Sequence, residues 1–143
     1  SGHITIFDRS WYGRVMVERL EGFTSPERCA MAYREINEFE SELVREGVII
    51  LKFWMQIDKD EQLRRFTDRQ NTPEKQWKIT DEDWRNREKW DEYENAVDEM
   101  LMKTSTKNAP WNIIEANNKL YARIKVMNII IDSISEYIKN SGK

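Results

Sequence analysis

Three stretches of the chain are apolar without the polar face that a helix of their length would show: Ile4 to Phe7, Val48 to Ile57, and Trp111 to Glu115. Gly47 and Asp58 bound the second run, and Asp8 ends the first. Such runs read as strands buried on both faces of a parallel sheet, which places strands at about 4–8, 48–57 and 111–115. The intervening segments carry helical periodicity. Trp11 to Leu20 reads as helical and stops near Gly22, a residue that accepts the positive φ of a helix end. Ser25 followed by Pro26 starts the next helix, whose inward face is expected at Tyr33, Ile36, Phe39, Leu43 and Val44, with Gly47 as its stop. Asp58 caps a third helix, with Glu61 closing a capping-box variant and Leu63 and Phe66 turned inward. Asn71-Thr72-Pro73 breaks it, and Thr80 with Asp83 opens a long helix from Asp81 to about Met102 with a stripe of Trp90, Tyr93, Val97 and Met100. The last helix, 119–140, carries Leu120, Ile124, Met127, Ile131, Ile134 and Ile138 three and four apart, a stripe expected to pack on a sheet face or, less simply, to form a seam with a second subunit. Strand, helices, strand, helices, strand, helix is the order of right-handed α/β crossovers, so the fold class is α/β.

Composition narrows the class of protein. With 39% hydrophobic residues, 34% charged residues, six Trp, five Tyr and five Phe in 143 residues, the chain can build a core and is not a solvated coil. No apolar run approaches the ~20 residues that cross a bilayer, and Ser1-Gly2-His3 does not open a signal peptide, so no membrane partner is expected. A single cysteine, Cys29, permits no internal disulfide and suits a reducing, cytoplasmic setting; with no histidine partner it reads as a structural thiol. The one histidine, His3, rules out a histidine-built metal site within the chain. A net charge of −3 argues against bulk DNA or RNA binding. Cations are nevertheless concentrated locally: Arg64, Arg65, Arg69, Lys75, Lys78, Arg85, Arg87 and Lys89 form a stretch able to meet a polyanion.

The chemistry suggested by the residues begins at Asp8-Arg9-Ser10. Polar groups at the carboxyl end of a strand in an open α/β sheet face the ligand crevice. An acid followed directly by arginine there suits a metal–phosphate site, Asp8 holding Mg²⁺ and Arg9 gripping phosphate oxygens, although a strand end with a surface ion pair has the same two residues. Trp11 and Tyr12 read as packing that fixes the strand-to-helix turn. Trp77, Trp84 and Trp90, interleaved with cations, would alternatively suit a single-stranded nucleic acid surface.

Phe7-Asp8-Arg9-Ser10-Trp11-Tyr12-Gly13-Arg14, continued by Val17-Glu18-Arg19-Leu20-Glu21-Gly22-Phe23, resembles the Walker B segment (about 4–14) of the polyphosphate kinase 2 family, most of all its AMP-phosphorylating subgroup. Arg65-Phe66-Thr67-Asp68-Arg69, Pro73-Glu74-Lys75-Gln76-Trp77-Lys78 and Asp83 to Tyr93 resemble that family's lid, here about 64–93, and Thr104-Ser105-Thr106, Ala109-Pro110-Trp111 and Asn118-Lys119 resemble its last strand and exit. The resemblance implies a P-loop kinase-like three-layer sandwich and phosphoryl transfer from inorganic polyphosphate to a nucleotide, AMP to ADP before others, with Mg²⁺. It implies Asp8, Arg9 and Arg14 as catalytic residues, Asp8 as metal ligand, and Arg65, Arg69, Lys75, Lys78 and Arg87 as phosphate ligands of the lid. One departure is large: five glycines stand at 2, 13, 22, 47 and 142, and none begins the Gly-x-x-x-x-Gly-Lys run of a P-loop. Residues 1–143 are therefore expected to be the C-terminal portion of one such domain, inactive alone and joined in a homo-oligomer or by a companion fragment that carries the P-loop. By the same resemblance the P-loop strand would lie between the Ile4 and Val48 strands. Two other readings stay open: an ATP-dependent nucleotide kinase of the thymidylate kinase type, and a non-catalytic oligomerisation fragment.

Overall fold

The computed structural model describes residues 2–8 and 10–141; Arg9, one of the expected catalytic residues, lies outside them. Two parallel strands, β1 (Lys52–Gln56) and β2 (Trp111–Glu115), pair in the register Lys52↔Trp111 through Gln56↔Glu115. Side chains alternate across this pleat, so Lys52, Trp54 and Trp111 face one side while Phe53 and Ile114 face the other. The first side is covered by the turn Trp11–Val15, helix α2 (Pro26–Arg45) and helix α5 (Trp90–Thr104), which bury Tyr12, Val15, Ala32, Tyr33, Ile36, Val97 and Met100. The second is covered by helix α6 (Lys119–Ser141), where Ala122, Val126 and Ile129 meet Ile114, Phe53 and Ile57. Helices, sheet and helix make three layers, and the α/β class holds.

Local signals read from the sequence account for most of these boundaries. Ser25 accepts the Arg28 N–H at 3.3 Å with Pro26 in the first turn, and Gly47 ends the segment at φ 83°. Asp58 accepts the Glu61 N–H at 2.7 Å and caps α3 (Lys59–Asn71). Thr80 and Asp83 close a capping box on α4 (Asp81–Glu88). Residues 111–115 form the expected strand with unchanged bounds.

Other expectations are corrected. Ile4 to Asp8 forms no strand: the segment has no regular structure, and Ile4, Ile6 and Phe7 are 83%, 89% and 61% exposed. A strand exists by pairing, and neither described strand pairs with this segment. The second strand shrinks from 48–57 to Lys52–Gln56 because its sole described partner is five residues long. The long helix from Asp81 is two helices, broken at Lys89 (φ −90°, ψ 23°), whose side chain is drawn away to Leu20 O at 3.2 Å and Glu21 Oε1 at 3.0 Å. Leu63 is exposed and Phe66 alone of that pair is buried; Glu61 binds arginines rather than its cap's backbone. Phe39 is half-exposed, while Glu40 is turned inward instead.

The α6 stripe also points away from the sheet. Leu120, Ile124, Met127, Ile131 and Ile138 are exposed, and the buried contact is made by Ala122, whose small side chain lets the helix approach Ile114. The helix has 23 residues, roughly 35 Å, against roughly 17 Å for a five-residue strand, so this sheet is too short to cover it.

Met100 is fully buried at the centre of the larger core. Met100→Ala should therefore lower stability by about 2–5 kcal/mol, read as a shift in the urea unfolding midpoint at unchanged slope.

Candidate functional site

Residues proposed for chemistry fall into two groups. The first begins at the end of the Ile4–Asp8 segment. Asp8 sits in an exposed bend and makes no ion pair with another described residue. Ser10 begins the 3₁₀ turn Trp11–Val15 and its hydroxyl faces the Tyr12 N–H at 3.5 Å. Arg14 lies on the surface, its guanidinium 3.1 Å from Glu35 Oε2. Trp11 packs edge-on against Phe7 and Phe39, with ring centroids 5.4 and 5.1 Å apart, and Tyr12 against Trp111 at 4.8 Å, which is the packing role expected of both.

Beneath this turn lies a polar network that the sequence did not announce. Lys52, 6% exposed, directs all three ammonium hydrogens at acceptors: Glu40 Oε2 at 2.8 Å, the Tyr12 hydroxyl at 2.9 Å and Thr104 O at 2.7 Å. Glu40, 1% exposed, accepts from the Tyr12 hydroxyl at 2.7 Å and the Trp11 indole Nε1 at 3.2 Å. Burial holds the Lys52 ammonium below the usual lysine range, against the opposing pull of Glu40, and burial pushes the Tyr12 phenol up. Nothing in a helix pattern distinguishes Glu40 from its solvated neighbours Glu38 and Glu42; the one available signal was a lysine in the middle of an apolar strand run.

The second group is rooted at the carboxyl ends of the two strands. Asp58 and Asn117, one just past each strand, clasp each other: the Asn117 amide donates to Asp58 Oδ2 at 2.5 Å, and the Asp58 N–H to Asn117 Oδ1 at 3.2 Å. Arg65, largely buried on α3, donates to Ala116 O at 2.5 Å, Asn117 O at 3.2 Å and Glu61 Oε1 at 2.7 Å. From there α3, the turn Pro73–Lys78 and α4 form an arm closed by edge-to-face packing of Phe66 on Trp84, centroids 5.2 Å apart. That contact uses Trp84 for structure and removes it from a base-stacking surface.

Along the arm the expected phosphate ligands are engaged to different degrees. Lys75 pairs with Asp68 at 2.9 Å. Arg87 reaches across to Lys59 O at 2.6 Å and Gln62 Oε1 at 3.0 Å, both uncharged acceptors. Lys78 stands over the exposed Trp77 ring at 5.0 Å, and Arg69 is half-buried. Arg64 and Arg65 share the single carboxylate of Glu61. Counted as charge, residues 59–88 are balanced, eight lysines and arginines against eight acids, but Arg69, Lys78 and Arg87 form no ion pair with a described residue. Those pairs are made of exchangeable contacts that an incoming polyanion can replace. No hydrogen bond or ion pair among the described residues joins Asp8 or Arg14 to the arm.

The two guanidiniums, Arg64 first and then Arg65, hold the Glu61 carboxyl down at about 2. A carboxylate depressed in the folded state stabilises above its unfolded value and loses that contribution as pH falls through the folded value. The clamp at the arm's root should thus persist at pH 3 and open only near pH 2, which a carbon-detected NMR titration of the Glu61 carboxyl can track.

Among the described residues there is no helix long and apolar enough to cross a membrane and no cluster of three or more His, Cys, Asp or Glu side chains. Comparison with known proteins places these features in context. A family model described as Polyphosphate kinase 2 (PPK2) matches residues 1–142. A polyphosphate:AMP phosphotransferase of Pseudomonas aeruginosa is 56% identical over 135 residues, 94% of this chain and 27% of its own. One of Pseudomonas syringae pv. tomato is 53% identical over 142 residues, 99% of this chain and 28% of its own. A crystal structure from Pseudomonas aeruginosa PA01 superposes with a TM-score of 0.92 at 55% identity, over 96% of this chain and 30% of that one. The chain thus spans between a quarter and a third of the length of these relatives.

Proposed function

Since the chain belongs to the polyphosphate kinase 2 family, we propose that it is the C-terminal portion of a P-loop kinase domain that moves a terminal phosphoryl group from inorganic polyphosphate to AMP. The observation that carries this reading is the arginine- and lysine-bearing arm rooted at the carboxyl ends of the strands, where ligands of open α/β sheets bind. The transferred group is a dispersed anion between two oxygens, so the protein's work is positioning and charge neutralisation rather than covalent chemistry. Arg69, Lys78 and Arg87 form no ion pair with a described carboxylate, whereas Lys75 and Arg14 must exchange Asp68 and Glu35 for phosphate. Closing such an arm over bound phosphates excludes water and completes the site when substrate is present. Arg65 joins them through its remaining hydrogen-bonding capacity while it anchors α3.

Asp8 and Mg²⁺ fit each other. The ion takes one or two carboxylates and keeps waters and substrate phosphates as its other ligands, so it needs no cluster of protein acids. An exposed carboxylate that pairs with no other described residue, next to Arg9 in the sequence, is a donor of that kind. Bound there, the metal would neutralise the charge of the phosphates being exchanged. Asp8 would hold it, and Arg9 and Arg14 would orient oxygens of the same group.

The phosphate cradle has to come from outside residues 1–143, in a longer chain, a homo-oligomer or a companion fragment, because the sequence has no P-loop. Unpaired Ile4–Phe7 and the uncovered α6 stripe support the need for further residues beside it. The decisive preparation is the P. aeruginosa relative with its matching segment replaced by this chain. That chimera should form ADP from AMP, polyphosphate and Mg²⁺, with polyphosphate preferred to ATP as donor, while the 143-residue chain alone forms none. Asp8→Asn in the chimera should lower kcat by about 10²-fold or more without changing the fold, and near-normal turnover would refute the metal assignment.

Polyphosphate should still bind the isolated chain through the arm, with affinity falling steeply as salt rises. Alanine at Arg69, Lys78 or Arg87 should each weaken that binding and flatten its salt slope; binding indifferent to salt would contradict the assignment.

A further inference from the structure

We infer that Glu40 is a positioning residue for phosphoryl transfer, holding Asp8 and Ser10 in place by its grip on Trp11 and Tyr12, with Lys52 as the countercharge that keeps a carboxylate in that buried place. The inference rests on the reading of Asp8 as the metal-holding carboxylate.

The geometry behind it is a two-point hold. Two consecutive side chains, the Trp11 indole and the Tyr12 phenol, converge on one oxygen of Glu40, at 3.2 and 2.7 Å. Hydrogen bonds from adjacent residues to one fixed atom set the rotation of the turn as well as its depth. Trp11 is three residues from Asp8, so its anchor confines the Asp8 backbone to within roughly 11 Å of a fixed point. Upstream, Ile4 to Phe7 belongs to no strand pair among the described residues, and the Phe7 ring packs edge-on against the same anchored Trp11. The position of Asp8 therefore depends on the anchored residues on its C-terminal side.

Stability alone does not account for the pair. Replacing a buried ion pair by apolar residues of similar volume is often neutral or stabilising, so a Glu–Lys pair is a poor device for holding a core together. What an apolar pair cannot do is hold an indole N–H and a phenol O–H in one orientation. Charge-assisted bonds are shorter and about twice as strong as neutral ones, and every ammonium hydrogen of Lys52 is used, on Glu40, Tyr12 and Thr104 O. The network is complete, and a complete buried network selects one arrangement. Phosphoryl transfer is sensitive to such placement, since displacements near 1 Å cost about 10²-fold in rate.

Two double variants separate positioning from packing. Glu40→Gln with Lys52→Met removes both charges but leaves an oxygen to accept from Trp11 and Tyr12. Glu40→Leu with Lys52→Met removes the acceptor as well. In the segment-swap chimera the first should keep kcat within about twofold of the parent, and the second should lower kcat at least about tenfold while KM for polyphosphate stays within about twofold. Full turnover in the Leu–Met variant overturns the inference, and so does an equal loss in both variants that tracks their melting temperatures. An inactive parent chimera would count against the kinase reading rather than against the anchor, which has its own measurement on the 143-residue chain. There the Trp11 indole N–H should exchange with solvent slowly in the parent and the Gln–Met variant and rapidly in the Leu–Met variant; equal exchange in all three overturns the anchor whatever the turnover.

Discussion

Four separate pieces of the chain meet at one ammonium group. Lys52 belongs to β1, Glu40 to α2, Tyr12 to the turn Trp11–Val15, and the Thr104 carbonyl to the end of α5. Removing an ammonium and a carboxylate from water costs several kcal/mol each, so the elements that surround them must be held closely enough to offset that cost in direct contacts. Cation–π contacts to Tyr12 and Trp111, 5.3 and 5.1 Å from the ring centroids, add to the same point. Trp111 also donates its indole N–H to the Thr104 hydroxyl at 2.9 Å, tying the start of β2 into the cluster. The larger core and the turn after Asp8 are consequently fixed with respect to each other by polar geometry, and the apolar residues fill the space around that frame.

How much of this was legible depended on the range of the interaction. Caps and breaks are local, and Ser25-Pro26, Asp58, Thr80 with Asp83, and Pro73 each did in the structure what their residue types dictate. The strand at 111–115 was equally plain, being short, apolar and bounded by Pro110. Faces were read less well, because periodicity gives an apolar stripe without saying what covers it. On α6 the regular stripe is exposed and the less regular Ala122, Val126 and Ile129 are buried, since close approach to a strand favours a small residue over a large one. The break at Lys89 was invisible for a related reason: it accompanies a contact with Leu20 and Glu21, 69 and 68 residues away in sequence. Glu40 was missed because an acid on an acid-rich helix looks solvated until Lys52, twelve residues on, folds against it.

The candidate site was legible in its residue types and not in its pairings. A pattern of arginines and lysines between 64 and 89 suits a polyanion, but along the chain they have equal standing. In the fold they differ. Arg65 commits its hydrogen bonds to two backbone carbonyls at the end of β2 and to Glu61, which makes it the root of the arm. Arg87 braces α4 against α3 through neutral acceptors, so it stabilises the arm and still presents its full charge. Lys75 is neutralised locally by Asp68, whose own carboxyl is held below the usual range by that lysine. An arm assembled this way is neutral as a whole and still leaves individual cations, Arg69, Lys78 and Arg87, without a carboxylate partner among the described residues.

The surfaces left open reflect the same division of labour. The network around Lys52 and the small contact around Ala122 secure the two sides of a sheet only two strands wide, and neither reaches the outer edges. Each strand of a two-stranded sheet has one unpaired edge, and exposed edges and apolar stripes are surfaces that isolated domains ordinarily avoid. The apolar residues of the segment that bears Asp8, Ile4, Ile6 and Phe7, are exposed as well. On the proposed reading of Asp8 as a metal ligand, its carboxylate has to be fixed from both directions along the chain. The hold from Trp11 and Tyr12 is built in, whereas the hold from Ile4 to Phe7 requires a neighbouring strand, so adding that strand would order the sheet and the metal ligand in a single step.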